Sequence, residues 1–178
     1  MSDPIALTEV PIAAAWIVQG DASRADFTGQ LSRQFSIALP VMPNTTARTD
    51  TLTAFWLGPR SWLLVAESAS SPLANLIDKR NALNAVGGAL FDLSASRVAY
   101  RLAGARAIDL LATGCALDLH PRTFRAGDCA QSVFGRVNAL LYKTDEAPTF
   151  VVMVARSLAR DVWRTLCLSA VQHGYQPR

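Results

Sequence analysis

Few residues of this 178-residue chain combine the types and the spacing that catalysis or metal binding requires. Its two histidines are His120, between Leu119 and Pro121, and His173, near the end of the sequence. Cys115 precedes His120 by five positions, which is poor spacing for two ligands of one metal ion. No His-Glu-x-x-His motif occurs, and no Cys-His or Ser-His-acid set is suggested. The sequence therefore predicts no catalytic residues and no metal site in this chain.

The glycines give no nucleotide-binding pattern. Gly87-Gly88 comes before a predicted strand instead of after one, which is the wrong context for phosphate. No Gly-x-Gly-x-x-Gly, Walker or Gly-x-Ser-x-Gly sequence is present. We therefore predict no cofactor-binding residues.

An acid and four tryptophans leave alternatives open. Asp92 follows an apolar segment, so it can be a lone acid in a cleft or the cap of the following turn. All four tryptophans fall on predicted strands or on the apolar stripe of a helix: Trp16, Trp56, Trp62 and Trp163. Core packing is the simpler interpretation of these rings, and exposure at an interface is the alternative.

Composition narrows the class of protein. Hydrophobic residues make up 51% of the chain and charged residues only 17%. Two explanations fit this composition: part of the surface binds partner proteins, or a monomer has a large apolar core. The net charge of +3 is mild, which argues against a nucleic-acid partner. Only two of the basic residues are lysines, Lys79 and Lys143, and the others are arginines. The preference for arginine over lysine is explained either by binding interfaces, where arginine is enriched, or by a compositional bias of the genome.

Cysteine use and the first residues predict a location. Cys115, Cys129 and Cys167 show no paired spacing, so a reducing cytoplasm is expected. The first twenty residues contain no Lys or Arg, unlike a secretory signal. No apolar run approaches the roughly 20 residues of a membrane helix, so no membrane partner is expected.

The stretch from Ala89 to Leu117 is predicted to form two strands and then a helix that ends at Gly114. Apolar residues alternate from Val98 to Leu102, which is typical of a strand with one buried face. Helical spacing follows, and Gly114 is predicted to be its left-handed cap. Residues 1–11 are expected to be a loose arm. Further strands are predicted at 14–19, 52–57, 62–66, 129–134, 136–142 and 149–154.

Three more helices are predicted from capping residues and apolar stripes. The first follows Asp21 or Ser23, the second opens at Ser71-Pro72, and the third follows Ser157. Their inner stripes are predicted to be Phe27, Leu31 and Phe35; then Leu73, Leu76, Ile77 and Leu83; then Leu158, Val162, Leu166 and Ala170, widened by Trp163 and Cys167.

Strand, helix, strands and helix thus occur twice. We predict an α+β fold of two βαββα-type, ferredoxin-like modules with antiparallel sheets, at about 12–93 and 96–174 of a single domain spanning 1–178. The outer face of the last helix carries Arg156, Arg160 and Arg164, each four apart. Like charges at this spacing repel, so this face is either simply solvated or covered by an acidic partner surface.

These residues resemble the sarcosine oxidase gamma subunit family, the accessory chains of heterotetrameric sarcosine oxidase. Two runs are specific together: Trp56-Leu57-Gly58-Pro59-Arg60-Ser61-Trp62-Leu63-Leu64 and Cys115-Ala116-Leu117-Asp118-Leu119-His120-Pro121. Smaller matches lie throughout the chain, among them Phe91-Asp92-Leu93-Ser94, Arg97, Phe124, Cys129-Ala130-Gln131 and Arg136-Val137. The motif residues that could form an interface are Trp56, Trp62, Asp92, Arg97, Asp118, His120 and Arg136.

The resemblance implies a fold similar to the folate-binding domain of the glycine-cleavage aminomethyltransferases. It also implies alpha, beta and delta partner subunits, which carry FAD, FMN, NAD, zinc and tetrahydrofolate while they oxidise N-methylglycine. Aminomethyltransferases have a functional aspartate on the strand pair that corresponds to Cys129–Tyr142. Here Ser132 to Leu140 contains no carboxylate, and Asn138 cannot act as a general base.

A non-catalytic subunit that supports assembly is therefore the expected function. Three alternatives stay open: a stand-alone folate-binding protein, an accessory subunit of a related N-methyl amino acid oxidase or dehydrogenase, and a tRNA-associated protein. Self-association of the isolated chain is a further open point.

Overall fold

The computed structural model describes residues 5–68 and 75–172. The chain divides into two compact units. Unit A is Pro11–Ala95, and unit B is formed by the residues on either side of it, described over 5–10 and 96–172. Each unit has one five-stranded sheet in which all described strand pairs are antiparallel, as the predicted α+β class requires.

Ten strands and four α-helices form the described part of the chain. In order they are β1 (Ala6–Val10), β2 (Ala14–Gln19), α1 (Ala25–Phe35), β3 (Thr46–Arg48), β4 (Thr53–Gly58), β5 (Ser61–Ala66), α2 (Leu76–Asn84), β6 (Ala89–Asp92), β7 (Arg97–Ala103), α3 (Ala107–Ala112), β8 (Cys129–Phe134), β9 (Val137–Lys143), β10 (Thr149–Ala155) and α4 (Ala159–Val171). A short 3-10 helix, Arg156–Leu158, leads into α4.

Unit A is organised around the tight β4–β5 hairpin and the strand β2. Its sheet order is β3-β4-β5-β2-β6. The predicted stripe of α1 is confirmed, because Phe27, Leu31 and Phe35 are buried in one apolar cluster with Trp16 and Trp62. This spacing places one residue per turn on the side of the helix that faces the core.

Unit B has the sheet order β1-β7-β10-β9-β8. Its core combines the inner residues of β7 and β10 with one face of α3 and the buried stripe of α4: Val162, Leu166 and Ala170. Trp163 and Cys167 are half-buried at the border of this stripe, as the sequence predicts. Leu158 was expected to belong to it, but that residue precedes α4 and is 39% exposed.

The two sheets have the same topology, which supports the predicted duplication. If β2, β3, β4 and β5 of unit A are matched with β7, β8, β9 and β10 of unit B, the sheet orders become identical. The remaining edge position is filled by β6 in unit A and by β1 in unit B, each antiparallel to its neighbour. The expectation of a loose arm is therefore wrong for Ala6–Val10, because this segment supplies the last strand of the sheet in unit B.

The capping residues predicted for α1 and α4 are wrong. The N-cap of α1 is Arg24, and Asp21 instead accepts hydrogen bonds from the backbone and hydroxyl of Ser23. Ser157 lies inside the 3-10 helix and does not cap α4. The predicted start at Ser71-Pro72, with Leu73, lies outside the described residues.

Two further predictions about helix packing need correction. Ile77 on α2 is 70% exposed, whereas Leu83 is the buried residue of that helix. Gly114 does not adopt a left-handed conformation. It is required for another reason: a Cβ there would lie 2.9 Å from the ring of Phe134 and 3.0 Å from the backbone nitrogen of Gly135.

Candidate functional site

The two motif tryptophans face each other in the β4–β5 hairpin. Trp56 pairs with Trp62 across the strands, next to a bulge between Trp56 and Gly58. The indole of Trp62 is 1% exposed, and its Nε1 donates a hydrogen bond to the Pro40 carbonyl at 2.8 Å. Trp56 is half-buried against the same core. Trp62 is thus a core residue with no surface to offer an interface, and only Trp56 keeps an exposed part.

The tip of the hairpin borders a concave surface of about 440 Å³ in unit A. Its walls are the Gly58–Ser61 turn, Gly20 and the Gly87–Ala89 segment. A Cβ on Gly88 would lie 2.6 Å from the Phe27 ring, so the backbone must lie directly on that ring. Arg60 at the rim forms an exposed ion pair with Asp21 at 3.8 Å, which contributes little stability.

Asp92 caps a turn, the second of the two interpretations that the sequence left open. Its Oδ1 accepts hydrogen bonds from the backbone nitrogen of Ser94 at 2.9 Å and from its hydroxyl at 2.6 Å. The same hydroxyl also accepts a bond from the backbone nitrogen of Ala15 at 3.1 Å. The Asp92 side chain is exposed and holds the end of β6 against β2, so its geometry is that of a turn and not of an acid in a cleft.

Arg97 begins β7, and its backbone carbonyl accepts a hydrogen bond from Nη2 of Arg156 at 3.1 Å. The side chain is half-buried, and its Nε is a buried donor with no partner among the described residues. Arg136 is exposed in the turn between β8 and β9. These two arginines are not brought together with the other motif residues by any described hydrogen bond or ion pair.

Asp118 and His120 lie close together in one loop. The carboxylate of Asp118 accepts the backbone N–H of His120 at 3.0 Å and the hydroxyl of Thr123 at 2.9 Å. The His120 N–H, followed by the Thr123 hydroxyl, holds the pKa of Asp118 below its ordinary value of 3.8. Nδ1 of His120 accepts the backbone N–H of Arg122 at 3.2 Å. Both side chains therefore fix the shape of the loop, while the neighbouring Leu119 and Phe124 anchor it in the core.

One groove of unit B was missed by sequence reasoning. It has a volume of about 630 Å³ and lies between the edge strand β1, strand β7 and the first turns of α4. We call it the Tyr100 groove, after the ring at its base; its other polar and aromatic residues are Thr8, Glu9, Arg156, Arg160 and Trp163. The spacing of Arg156 and Arg160 indicates the helix side of this groove, but no sequence pattern places β1 beside them.

Tyr100 is held rigidly at the base of this groove. Its hydroxyl donates to the Ala159 carbonyl at 2.9 Å, and its ring centroid lies 5.0 Å from that of Trp163. Burial, and then the charge of Glu9, raise the pKa of Tyr100 above its ordinary value of 10.0. The phenol is therefore neutral at physiological pH and acts as a hydrogen-bond donor.

The described part of the chain contains neither a cluster of metal ligands nor a helix that could span a membrane. Across residues 5–68 and 75–172, no three His, Cys, Asp or Glu side chains are grouped closely enough to bind a metal ion. His173 lies outside these residues. In the same ranges no helix is both long and apolar enough to cross a membrane.

Comparisons with known proteins place this fold. The sequence model of the "Sarcosine oxidase, gamma subunit family" matches residues 19–171. A heterotetrameric sarcosine oxidase from Corynebacterium sp. U-96, solved in complex with pyrrole 2-carboxylate, is similar over 98% of this chain and 87% of its own, with a TM-score of 0.85 and 24% identity. No curated protein sequence matches the chain.

A second solved structure has a more distant likeness. The glycine cleavage system aminomethyltransferase T from Bartonella henselae matches 92% of this chain with a TM-score of 0.58 and 15% identity. The chain spans only 45% of that aminomethyltransferase. The similarity is one of fold, and it agrees with the expected likeness to the aminomethyltransferase fold.

Proposed function

The chain belongs to the sarcosine oxidase gamma subunit family, and we propose that it is the non-catalytic gamma subunit of a heterotetrameric sarcosine oxidase. In this proposal it joins alpha, beta and delta subunits in the cytoplasm. The complex demethylates sarcosine oxidatively to glycine and passes the one-carbon unit to tetrahydrofolate. The observation that supports the proposal is the family match over residues 19–171.

The proposal assigns FAD, FMN, NAD, zinc and tetrahydrofolate to the partner subunits. The β8–β9 hairpin supports this assignment. Its exposed residue at position 138 is an asparagine, which carries an amide and not a carboxylate. An amide nitrogen or oxygen does not take up a proton near neutral pH, so Asn138 cannot serve as a general base. The motif acids and the motif histidine are engaged locally: Asp92 binds Ser94, and Asp118 and His120 bind backbone N–H groups of their own loop.

The experiment expresses the alpha, beta and delta subunits twice, once together with this chain and once without it. We expect one four-chain complex that retains flavin and oxidises sarcosine, and a less stable or incomplete assembly when this chain is left out. The isolated chain should be colourless and inactive. A yellow isolated chain, turnover of a methylated amino acid by it alone, or an unchanged complex in its absence would contradict the proposal.

Two further measurements separate the alternatives. Calorimetry of the isolated chain with tetrahydrofolate is expected to give no binding heat, whereas tight binding would indicate a stand-alone folate protein. The intact complex should prefer sarcosine over other N-methyl amino acids. Preference for another amine would keep the accessory role but assign it to a related oxidase or dehydrogenase.

A further inference from the structure

We propose that the Tyr100 groove binds an acidic segment of a partner subunit, which places an apolar side chain on the groove floor and a carboxylate against Arg160. This inference rests on the proposed function, because it names the surface through which the chain joins its complex. It commits to a polypeptide with Asp or Glu beside an apolar residue.

The floor of the groove is suited to an apolar side chain. Its base is apolar and closely packed, being formed by the buried residues Leu7, Val98 and Tyr100. The Trp163 ring lies 5.0 Å from that of Tyr100 and is only half-buried, so it keeps aromatic surface that a partner can contact. Because the Tyr100 hydroxyl is bound to the Ala159 carbonyl, the ring is already fixed before any partner arrives. A preorganised aromatic surface loses little side-chain entropy on binding, which is why such rings are common at the centres of interfaces.

The helix side of the groove is positively charged. Arg156 and Arg160 line it, and Arg164 follows one turn later on the same face. Arg156 is held by the Arg97 carbonyl at 3.1 Å. Arg160 is exposed, and within residues 5–68 and 75–172 it forms no ion pair. Like charges four residues apart repel, so a carboxylate placed between them would relieve this repulsion.

The opposite wall restricts what can enter. Glu9 on β1 faces the arginines across the groove, so a polyanion such as nucleic acid would meet repulsion there. A polypeptide can contact both sides of the groove. Its carboxylate can pair with Arg160, and its backbone N–H groups can donate hydrogen bonds on the side of β1. The edge strand β1 is paired only with β7 among the described strands, so its outer side can be reached by an extended segment.

The test uses the full chain, co-expressed with the flavin-bearing subunits, and two charge reversals at exposed arginines of unit B. Arg160→Glu is expected to weaken association about tenfold at about 0.15 M salt, since it reverses a rim charge that pairs with the partner. Arg160→Lys keeps the charge and should recover most of the affinity. Arg122→Glu is the matched control, because it changes the net charge equally at an exposed arginine that does not line the groove; it should change affinity less than about threefold.

Glu9 is exposed and pairs with Tyr100 across the β1–β7 ladder, so its side chain lies on the groove side of the sheet. A photo-crosslinking amino acid in place of Glu9 identifies the occupant. We expect a crosslink to one segment of another subunit that contains Asp or Glu. Equal binding of the Arg160→Glu variant and the unaltered chain would overturn the inference while leaving the proposed function intact. A crosslink to a segment without acidic residues, or to a second copy of this chain, would also overturn it. If the unaltered chain itself joins no flavin-bearing subunit, the proposed function fails and the inference fails with it.

Discussion

Lys143 lies opposite Phe150 in the β9–β10 ladder, with its Nζ 5.4 Å from the centroid of the phenyl ring. The side chain is 2% exposed, and Nζ donates to the carbonyls of Asp145 and Ala147 at 2.8 and 2.7 Å. The ammonium therefore closes the loop between the two strands. Lys79, the other lysine of the chain, makes a similar pair of contacts in unit A, with the Phe35 ring and the Gln34 carbonyl.

Replacing Lys143 by Met should lower the free energy of unfolding by about 2 kcal/mol. The substitution keeps the apolar stem but removes two charge-assisted hydrogen bonds and the contact with the ring. Urea unfolding followed by fluorescence measures this loss. Lys79→Met is the matched control and should cost less, because Lys79 is only half-buried and donates to one described carbonyl. Equal losses in the two variants would show that burial of Lys143 is not what matters.

The indole of Trp62 is expected to stabilise unit A through its hydrogen bond to Pro40 as well as through its area. Trp62→Phe leaves the buried Pro40 carbonyl without this donor. Trp16 is equally buried and packs on Phe35 with ring centroids 5.6 Å apart, so Trp16→Phe reports the loss of ring area. We expect Trp62→Phe to cost about 1 kcal/mol more than Trp16→Phe in chemical unfolding. A smaller loss at position 62 would contradict this assignment.

Gly114 should not tolerate a side chain, although its backbone conformation would allow one. Gly114→Ala forces a methyl group against the ring of Phe134 and the backbone of Gly135, and we expect a loss of about 1–3 kcal/mol. Gly58→Ala is the control, since a Cβ there meets nothing within 4 Å and no positive φ is required. Thermal unfolding of the two variants tests the difference. A stable Gly114→Ala variant would show that Phe134 can move aside.

Sequence reasoning succeeded where the physical signal is local. Apolar runs identified the strands of the β4–β5 and β8–β9 hairpins, and residues 129–134 were predicted with the observed bounds of β8. The stripe Phe27, Leu31 and Phe35 was found because helical spacing is independent of the rest of the fold. The overall class followed from the order of these elements.

It failed where a feature depends on distant partners. The segment Ala6–Val10 alternates too weakly to indicate a strand by itself, and it is fixed by pairing with β7, about ninety residues later. Gly114 was given a conformational role because a glycine after a helix usually has one, whereas its real constraint is the ring of Phe134. The Tyr100 groove combines Thr8 with Trp163, and no spacing rule relates such positions.

The loop that contains Asp118 should make stability depend on pH in acid. In the folded state the pKa of Asp118 lies below its ordinary value of 3.8, which the carboxyl keeps in the unfolded state. As the pH falls, the unfolded state therefore takes up a proton before the folded state does. Its contribution is therefore complete above that value and is lost as the pH falls through the lower folded pKa. Melting temperatures of the native chain and of Asp118→Asn, measured from pH 7 to pH 2, should converge in acid. Thr123→Val removes one of the hydrogen bonds to the carboxylate. Its melting temperature should therefore fall less in acid than that of the native chain. A gap between the native chain and Asp118→Asn that stays constant with pH would show that the charge of Asp118 does not stabilise the loop.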